Sequence, residues 1–162
     1  MAGLAWEAVR DEFAFDGSWR DIYVLGTNMA EWQRMLDGLR TAGYDLGYTC
    51  LGDDRTTQLP TRVEDAFPLE GECLRLLTVR FGGVEAKCHF FTPEEIEFDI
   101  DPRDVSGQAE LNALFGFMQC LATSIGREVI LCPEACSEIV IFRMLPDGTV
   151  EHQAFGGWHD WR

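Results

Sequence analysis

The chain has 162 residues, of which 46% are hydrophobic and 12% aromatic, so it is long and apolar enough for one folded domain and is not disordered. Its 28 acidic residues against 13 basic ones give a net charge of −15, which argues against nucleic acid or an anionic membrane as a partner. A basic protein partner, a metal ion or simply high solubility would each fit this charge. Residues 1–11 lack the pattern of a signal peptide and no long apolar run follows, so we expect a cytoplasmic protein without a membrane span.

The cysteines predict neither a disulfide framework nor a metal site. In a chain of this length without a signal peptide, we expect all of them to be reduced thiols, most of them on apolar faces. Only the last two lie close together, and no second pair or nearby histidine completes four zinc ligands. We therefore expect no cofactor and no metal. The six cysteines are Cys50, Cys73, Cys88, Cys120, Cys132 and Cys136.

The N-terminal third predicts a hairpin followed by a helix. Two apolar runs, 13–15 and 22–25, flank Asp16-Gly17, a dipeptide typical of hairpin turns. Asn28 then offers an N-cap, apolar residues recur at helical spacing, and Gly43 is a C-terminal stop, which predicts a helix over about 28–42.

The next segment predicts one strand and then an irregular connection. Apolar and polar residues alternate over 44–50, the pattern of a half-buried strand. Residues 52–55 predict a turn, and Thr61 with Glu64 three positions later predicts a short helical turn. Residues 51–73 as a whole have the weakest periodicity, so we expect an ordered but irregular connection there.

Three consecutive strands form the predicted centre of the sheet. The apolar run 74–81 turns at Gly82-Gly83 into 84–91, and a short turn leads into the strand 95–101. Strands joined by such short loops form a meander, and consecutive strands usually lie side by side, so this meander is expected in the middle of the sheet.

The last third predicts one long helix and three short strands. A continuous apolar stripe indicates a helix over about 106–125, capped by Asp104 or Ser106 and ended by Gly126. Strands are predicted at 129–131, at 139–144 and near Val150. Together the patterns predict a single α+β domain over 1–162, with a core at about 13–153 and an aromatic tail at 154–162. Its sheet is mainly antiparallel, with about seven strands and two helices packed on one face.

The strand 95–101 carries the candidate site. Its acidic residues alternate without a fault with large apolar ones, so the acids share one face that cannot be buried dry. The short turn before it places Lys87 opposite Asp99, His89 opposite Glu97 and Glu85 opposite Asp101. Opposite charges across strands would make this a solvated face, whereas an excess of acid would make it a recognition surface for a basic protein. The candidate partner-binding residues are Glu95, Glu97, Asp99, Asp101 and His89.

An enzymatic alternative rests on a shorter pattern. Glu85-x-Lys87 after a glycine turn resembles the second half of a metal-dependent nuclease motif, in which an acid and a lysine share one strand face. Asp65 is a candidate for the acid of the first half. This alternative is a metal-dependent hydrolase or nuclease that uses Glu85, Lys87 and nearby acids. No glycine-rich nucleotide loop or nucleophile elbow is present, and no catalytic residue is assigned.

Three segments carry a resemblance to a known group of proteins. They are 15–24 (FDGSWRDIYV), Glu31-Trp32 and 88–103 (CHFFTPEEIEFDIDPR). In these segments the chain resembles a group of small, uncharacterised bacterial proteins, some of which are similar to immunity proteins, the antidotes to secreted polymorphic toxins. The resemblance covers about 13–150 and brings no catalytic or toxin-contact residues. It implies a cytoplasmic, acidic, non-enzymatic protein that binds one cognate toxin.

Overall fold

A computed structural model describes residues 3–51 and 53–155, with the backbone alone at 53–56. Within these residues one antiparallel sheet of nine strands forms the frame, in the spatial order β3-β2-β4-β5-β6-β1-β7-β8-β9. The α+β class and the antiparallel sheet are confirmed, with two strands more than the seven expected. The strands are β1 Arg20–Leu25, β2 Asp45–Cys50, β3 Asp53–Thr56, β4 Arg75–Phe81, β5 Val84–His89, β6 Glu95–Ile100, β7 Val129–Pro133, β8 Phe142–Met144 and β9 Val150–His152.

The helices are a short α1 at Trp6–Val9, α2 at Met29–Ala42 and α3 at Gln108–Ile125. Asn28 caps α2 by accepting a hydrogen bond from the Glu31 backbone N–H at 2.9 Å, as predicted. Gly43 and Gly126 end α2 and α3 in the left-handed conformation that glycine adopts without strain. Both long helices pack on each other and over one face of the sheet, which buries their apolar stripes.

Strand alternation divides the sheet into a core face and a second face, on which no helix of the described residues packs, here called the open face. Ile96, Phe98 and Ile100 of β6 are fully buried beneath α2 and α3, as the alternating pattern predicts. The side chains between them point to the open face and are half-buried. The meander β4-β5-β6 lies in the interior of the strand order, so its predicted central position is confirmed. Strand order therefore places β5 and β6, which carry four of the five candidate partner-binding residues, near the centre of the sheet.

The predicted hairpin around Asp16-Gly17 is wrong. Phe13 ends a 3₁₀ helix at Arg10–Phe13, and the chain then reaches β1 through a loop instead of a strand. The reason is Arg20, which is 1% exposed and whose guanidinium group forms hydrogen bonds with this loop. Its Nε donates to the Glu12 carbonyl at 3.0 Å, and its Nη atoms donate to the carbonyls of Ala14 and Trp19 and to the Asp16 carboxylate.

Three predictions of local structure are also corrected. The predicted turn at 52–55 is largely the edge strand β3, because pairing with β2 overrides the low strand propensity of Asp53-Asp54. The strand predicted over 139–144 forms only at β8. The N-cap of α3 is Gly107 rather than Asp104 or Ser106, since Asp104 lies in a 3₁₀ helix at Pro102–Asp104. Most of the predicted aromatic tail, residues 156–162, lies outside the described residues.

The expectation of six reduced thiols is wrong for two of them. Cys50 and Cys73 form a disulfide, with their Cα atoms 5.9 Å apart. Pairing of β2 with β4 places Cys50 opposite Arg75 and so brings Cys73 within reach across a separation of 23 residues. Disulfides are typical of oxidising compartments, and the cytoplasmic location stays a prediction. No helix within the described residues is long and apolar enough to span a membrane.

Candidate functional site

Two neighbouring strands bring three carboxyl groups together at the centre of the open face. In the antiparallel register Asp21 of β1 lies opposite Asp99 of β6, and Tyr23 lies opposite Glu97. Oxygen atoms of Asp21, Glu97 and Asp99 all lie within 4.8 Å of one another. These three residues are here called the acidic cluster. Glu97 and Asp99 were predicted as site residues, whereas Asp21 was not.

The loop after β7 covers one side of the acidic cluster. The Ala135 N–H donates to Asp21 Oδ2 at 2.6 Å, and the Tyr23 hydroxyl donates to the same oxygen at 3.0 Å. Ala135 holds a φ of 56°, the left-handed region that an alanine rarely adopts. These contacts leave Asp21 only 2% exposed, so its carboxyl is the buried end of the cluster and Glu97 and Asp99 form its half-buried rim.

Burial raises the pKa of all three carboxyl groups, and repulsion within the acidic cluster adds to this for Asp21 and Glu97. Burial raises the pKa of Asp21 to about 6, and the nearby Asp99 charge adds to this. Burial and then the charges of Asp21 and Asp99 raise the pKa of Glu97 to about 7. Burial raises the pKa of Asp99 as well, while its polar contacts with Asp21 and Glu97 act in the opposite direction. At neutral pH the carboxyl groups of the acidic cluster are therefore still partly protonated.

Two basic side chains border the acidic cluster without neutralising it. Lys87 lies opposite Asp99, as predicted, but its Nζ also pairs with Glu85 Oε1 at 3.6 Å. His89 Nε2 lies 3.5 Å from Asp99 Oδ2, so this imidazole contacts Asp99 rather than the Glu97 that the predicted register favoured. Burial, with the Lys87 charge, lowers the pKa of His89, so it is mostly neutral at pH 7.

The remaining predicted site residues lie at the two ends of β6. Glu95 begins β6 opposite Leu25, at the end of the open face farthest from Asp21. Asp101 follows β6 and caps the next turn, where its carboxylate accepts hydrogen bonds from the Arg103 backbone N–H and guanidinium group. Arg103 thereby lowers the pKa of Asp101. The structure brings Glu97, Asp99 and His89 together and leaves Asp101 paired elsewhere.

The residues of the enzymatic alternative do not meet. Glu85 and Lys87 share the open face of β5, and Glu85 also pairs with Arg80 at 3.2 Å. Asp65 lies in a 3₁₀ helix at Val63–Ala66, which packs on α2 and so lies on the core side of the sheet. A metal-binding version of this alternative has its better ligands in the acidic cluster, the one such group found among the described side chains.

Sequence reasoning missed Asp21 because its strand has no acidic alternation of its own. Asp21, Tyr23 and Leu25 do alternate with Ile22 and Val24, which indicates that Asp21 shares a face with Tyr23. No local signal shows that β1 inserts between β6 and β7, a pairing of segments 70 or more residues apart. The missing information was the strand order.

Comparison with known proteins found no relative of this chain. No protein-family model, no curated protein and no solved structure matches the chain.

Proposed function

We propose that this protein is a non-enzymatic binding protein of immunity type, which neutralises a cognate basic toxin through its open face. The observation that carries the proposal is the acidic cluster, in which three carboxyl groups meet with raised pKa on the side of the sheet that no helix covers. The immunity role itself rests on the resemblance to immunity proteins, and the chemistry of the partner rests on this cluster.

The acidic cluster differs from an ordinary solvated charge ladder. In such a ladder each acid lies opposite a base, and exposed carboxyl groups keep their usual pKa. Here Asp21 lies opposite Asp99, acid against acid, and Lys87 is the base that lies opposite Asp99 on the neighbouring strand β5. A lysine or arginine from a partner would replace the bound protons and relieve the repulsion, which makes the cluster complementary to a basic surface.

The net charge of −15 supports the same partner. A strongly negative protein attracts a basic one over long range and accelerates their encounter at low salt. A short-range site and a long-range field of the same sign then both favour a basic toxin.

Affinity capture with the purified protein as bait tests this proposal. We expect it to retain one basic protein from the source organism's lysate at low salt, and we expect this binding to weaken at high salt. The double variant Glu97→Gln, Asp99→Asn should lose it. Asp37→Asn is the matched control, because it removes the same kind of charge from the exposed face of α2. Retention by the double variant equal to wild type would contradict the proposal.

The immunity role has its own test once that partner is cloned. Co-expression of wild type should restore growth of cells that produce the partner, whereas the double variant should not. A partner that binds through the open face but does not inhibit growth would leave a binding protein without the immunity role.

A metal-dependent hydrolase is the second candidate, favoured by one observation. Three carboxylate oxygens within 4.8 Å offer the hard ligands that Mg²⁺ and Ca²⁺ prefer. A site of this kind would raise the melting temperature when the metal is added, because a ligand that binds only the folded state stabilises it. Asp99→Asn should abolish the shift, and Glu85→Ala and Lys87→Ala should abolish any hydrolase activity. No metal effect on melting would exclude this candidate.

A further inference from the structure

Exposed apolar side chains form a row across one end of the open face. Leu25 ends β1, Leu51 follows β2, Leu74 precedes β4 and Phe91 follows β5, and antiparallel pairing places all four at the same end of the sheet. Each is between 41% and 61% exposed. These four residues are here called the apolar row.

Leu25 and Phe91 continue the open face, and Leu51 and Leu74 lie side by side at the same end of the sheet. Leu25 is two residues beyond Tyr23 and therefore shares its face. The Phe91 ring stacks on the His89 ring, with centroids 4.9 Å apart, and so lies on the same side as the acidic cluster. The Leu51 N–H donates to the Leu74 carbonyl at 2.8 Å.

A covalent link holds the outer half of the apolar row in place. Leu51 and Leu74 each follow a cysteine of the Cys50–Cys73 disulfide, so the two leucines are fixed beside each other at the end of β2 and β4. An exposed apolar patch is typical of a binding surface, and here the disulfide cross-links the segments that carry half of it.

Other exposed apolar residues do not form such a patch. Among the described residues six large apolar side chains are exposed, and four of them make up the apolar row. Of the other two, Phe15 lies at the opposite end of β1 beneath the Arg103 guanidinium, 4.1 Å from its ring centroid. Leu69 stands alone in the connection before β4.

The apolar row and the acidic cluster are close enough for one partner segment to contact both. The row crosses five strands, from β2 to β1, or about 19 Å at the spacing of about 4.8 Å between neighbouring strands. Glu95 lies within the row, between Phe91 and Leu25 in strand order. Glu97 is one strand repeat of about 6.7 Å further along β6.

We infer that the partner presents a basic amphipathic segment, whose apolar side chains cover the apolar row while a lysine or arginine enters the acidic cluster. This inference rests on the proposed function and names the chemistry of the partner. Charge complementarity favours this partner over the other occupants, because a second copy would bring its own acidic cluster and a charge of −15, and an anionic membrane would be repelled.

Two synthetic peptides of equal charge test the inference. One is a helical peptide of about 18 residues, about 27 Å long, with arginines on one face and leucines on the other. The second replaces its leucines by serine. We expect the first peptide to bind wild type at least about tenfold more tightly than the second, measured by calorimetry at two salt concentrations. Leu25→Ser and Phe91→Ser should each remove most of that difference.

Matched controls test the contributions of the apolar row and of the acidic cluster separately. Leu69→Ser removes an even more exposed leucine, 72% exposed, outside the apolar row and should leave binding of the first peptide unchanged. Glu97→Gln should weaken both peptides and flatten the salt dependence, whereas Asp37→Asn should not. Melting curves check that each variant is folded.

The outcomes distinguish failure of the inference from failure of the proposed function. If both peptides bind equally and Glu97→Gln weakens both, the apolar row has no role in binding and the acidic face remains a binding site. Binding of neither peptide, or binding insensitive to Glu97→Gln, would overturn both. A wild-type dimer in sedimentation that Phe91→Ser dissociates would show that a second copy covers the row, against the inference.

Discussion

Asp21 and Asp99 lie directly opposite each other on neighbouring strands at the centre of the sheet, where folding brings two acids face to face. Like charges in cross-strand pairs destabilise a sheet, and here Glu97 adds a third carboxyl group. The arrangement costs folding stability, and the proposed role in binding a basic partner would account for residues kept at this cost.

Replacing Glu97 by glutamine should therefore stabilise the protein at pH 8. The folded-state pKa of Glu97 is raised to about 7, so its protonated form is favoured by folding, and that stability is lost as the pH rises through 7. We expect Glu97→Gln to raise the free energy of unfolding by about 1 kcal/mol at pH 8, after allowance for solvent screening. At about pH 3.5 Glu97 is protonated in both the folded and the unfolded state, so the variant and wild type should be equal. Urea unfolding at both pH values measures this, with Asp37→Asn as the control, and a destabilised variant at pH 8 would contradict it.

Arg20 should be essential for the N-terminal part of the fold. Its buried guanidinium group donates to carbonyl groups of the loop before β1 and pairs with Asp16 at 3.3 Å. Arg20→Met removes these bonds and leaves buried acceptors unsatisfied, so we expect a loss of about 3 kcal/mol. Arg103→Met, which removes an exposed arginine bonded to Asp101, should cost less than about 1 kcal/mol. Chemical unfolding compares the two, and equal losses would refute a special role for Arg20.

The Cys50–Cys73 disulfide should add measurable stability. A bridge that closes a loop of this length, with a sequence separation of 23, restricts the unfolded chain by about 3 kcal/mol. The double variant Cys50→Ser, Cys73→Ser should lose about this amount and become insensitive to reductant. Alkylation of the denatured, unreduced wild type should label four thiols, since Cys88, Cys120, Cys132 and Cys136 are free. Six labelled thiols would mean that the bridge does not form in the purified protein.

Gly38 should be needed where α2 crosses α3. A Cβ atom added at Gly38 would lie 2.6 Å from the Ser124 Cβ, closer than two such atoms can approach. Gly38→Ala should therefore destabilise the protein by about 1–3 kcal/mol, although alanine favours helix more than glycine does. Ser124→Gly, which removes the obstructing atoms, should rescue Gly38→Ala in a double-mutant cycle. Additive losses would show that the two helices do not touch at this point.

Local periodicity predicted much of the fold. The caps at Asn28 and Gly43 bounded α2 within one residue, because cap and stop signals act on the adjacent turn of helix. The alternation along β6 correctly predicted which side chains enter the core. The short turn before β6 also set Lys87 opposite Asp99, since a tight connection leaves one register that keeps both apolar faces buried.

The acidic strand and its face were thus determined by the sequence alone, whereas the acidic cluster was decided only in three dimensions. Asp21 joins Asp99 because β1 inserts beside β6, and the disulfide and the apolar row arise because β2 pairs with β4. A strand's own pattern shows which face its side chains take, since that depends on a period of two residues. Its neighbours depend on how the whole chain packs its helices over one side of the sheet, and no local period records that choice.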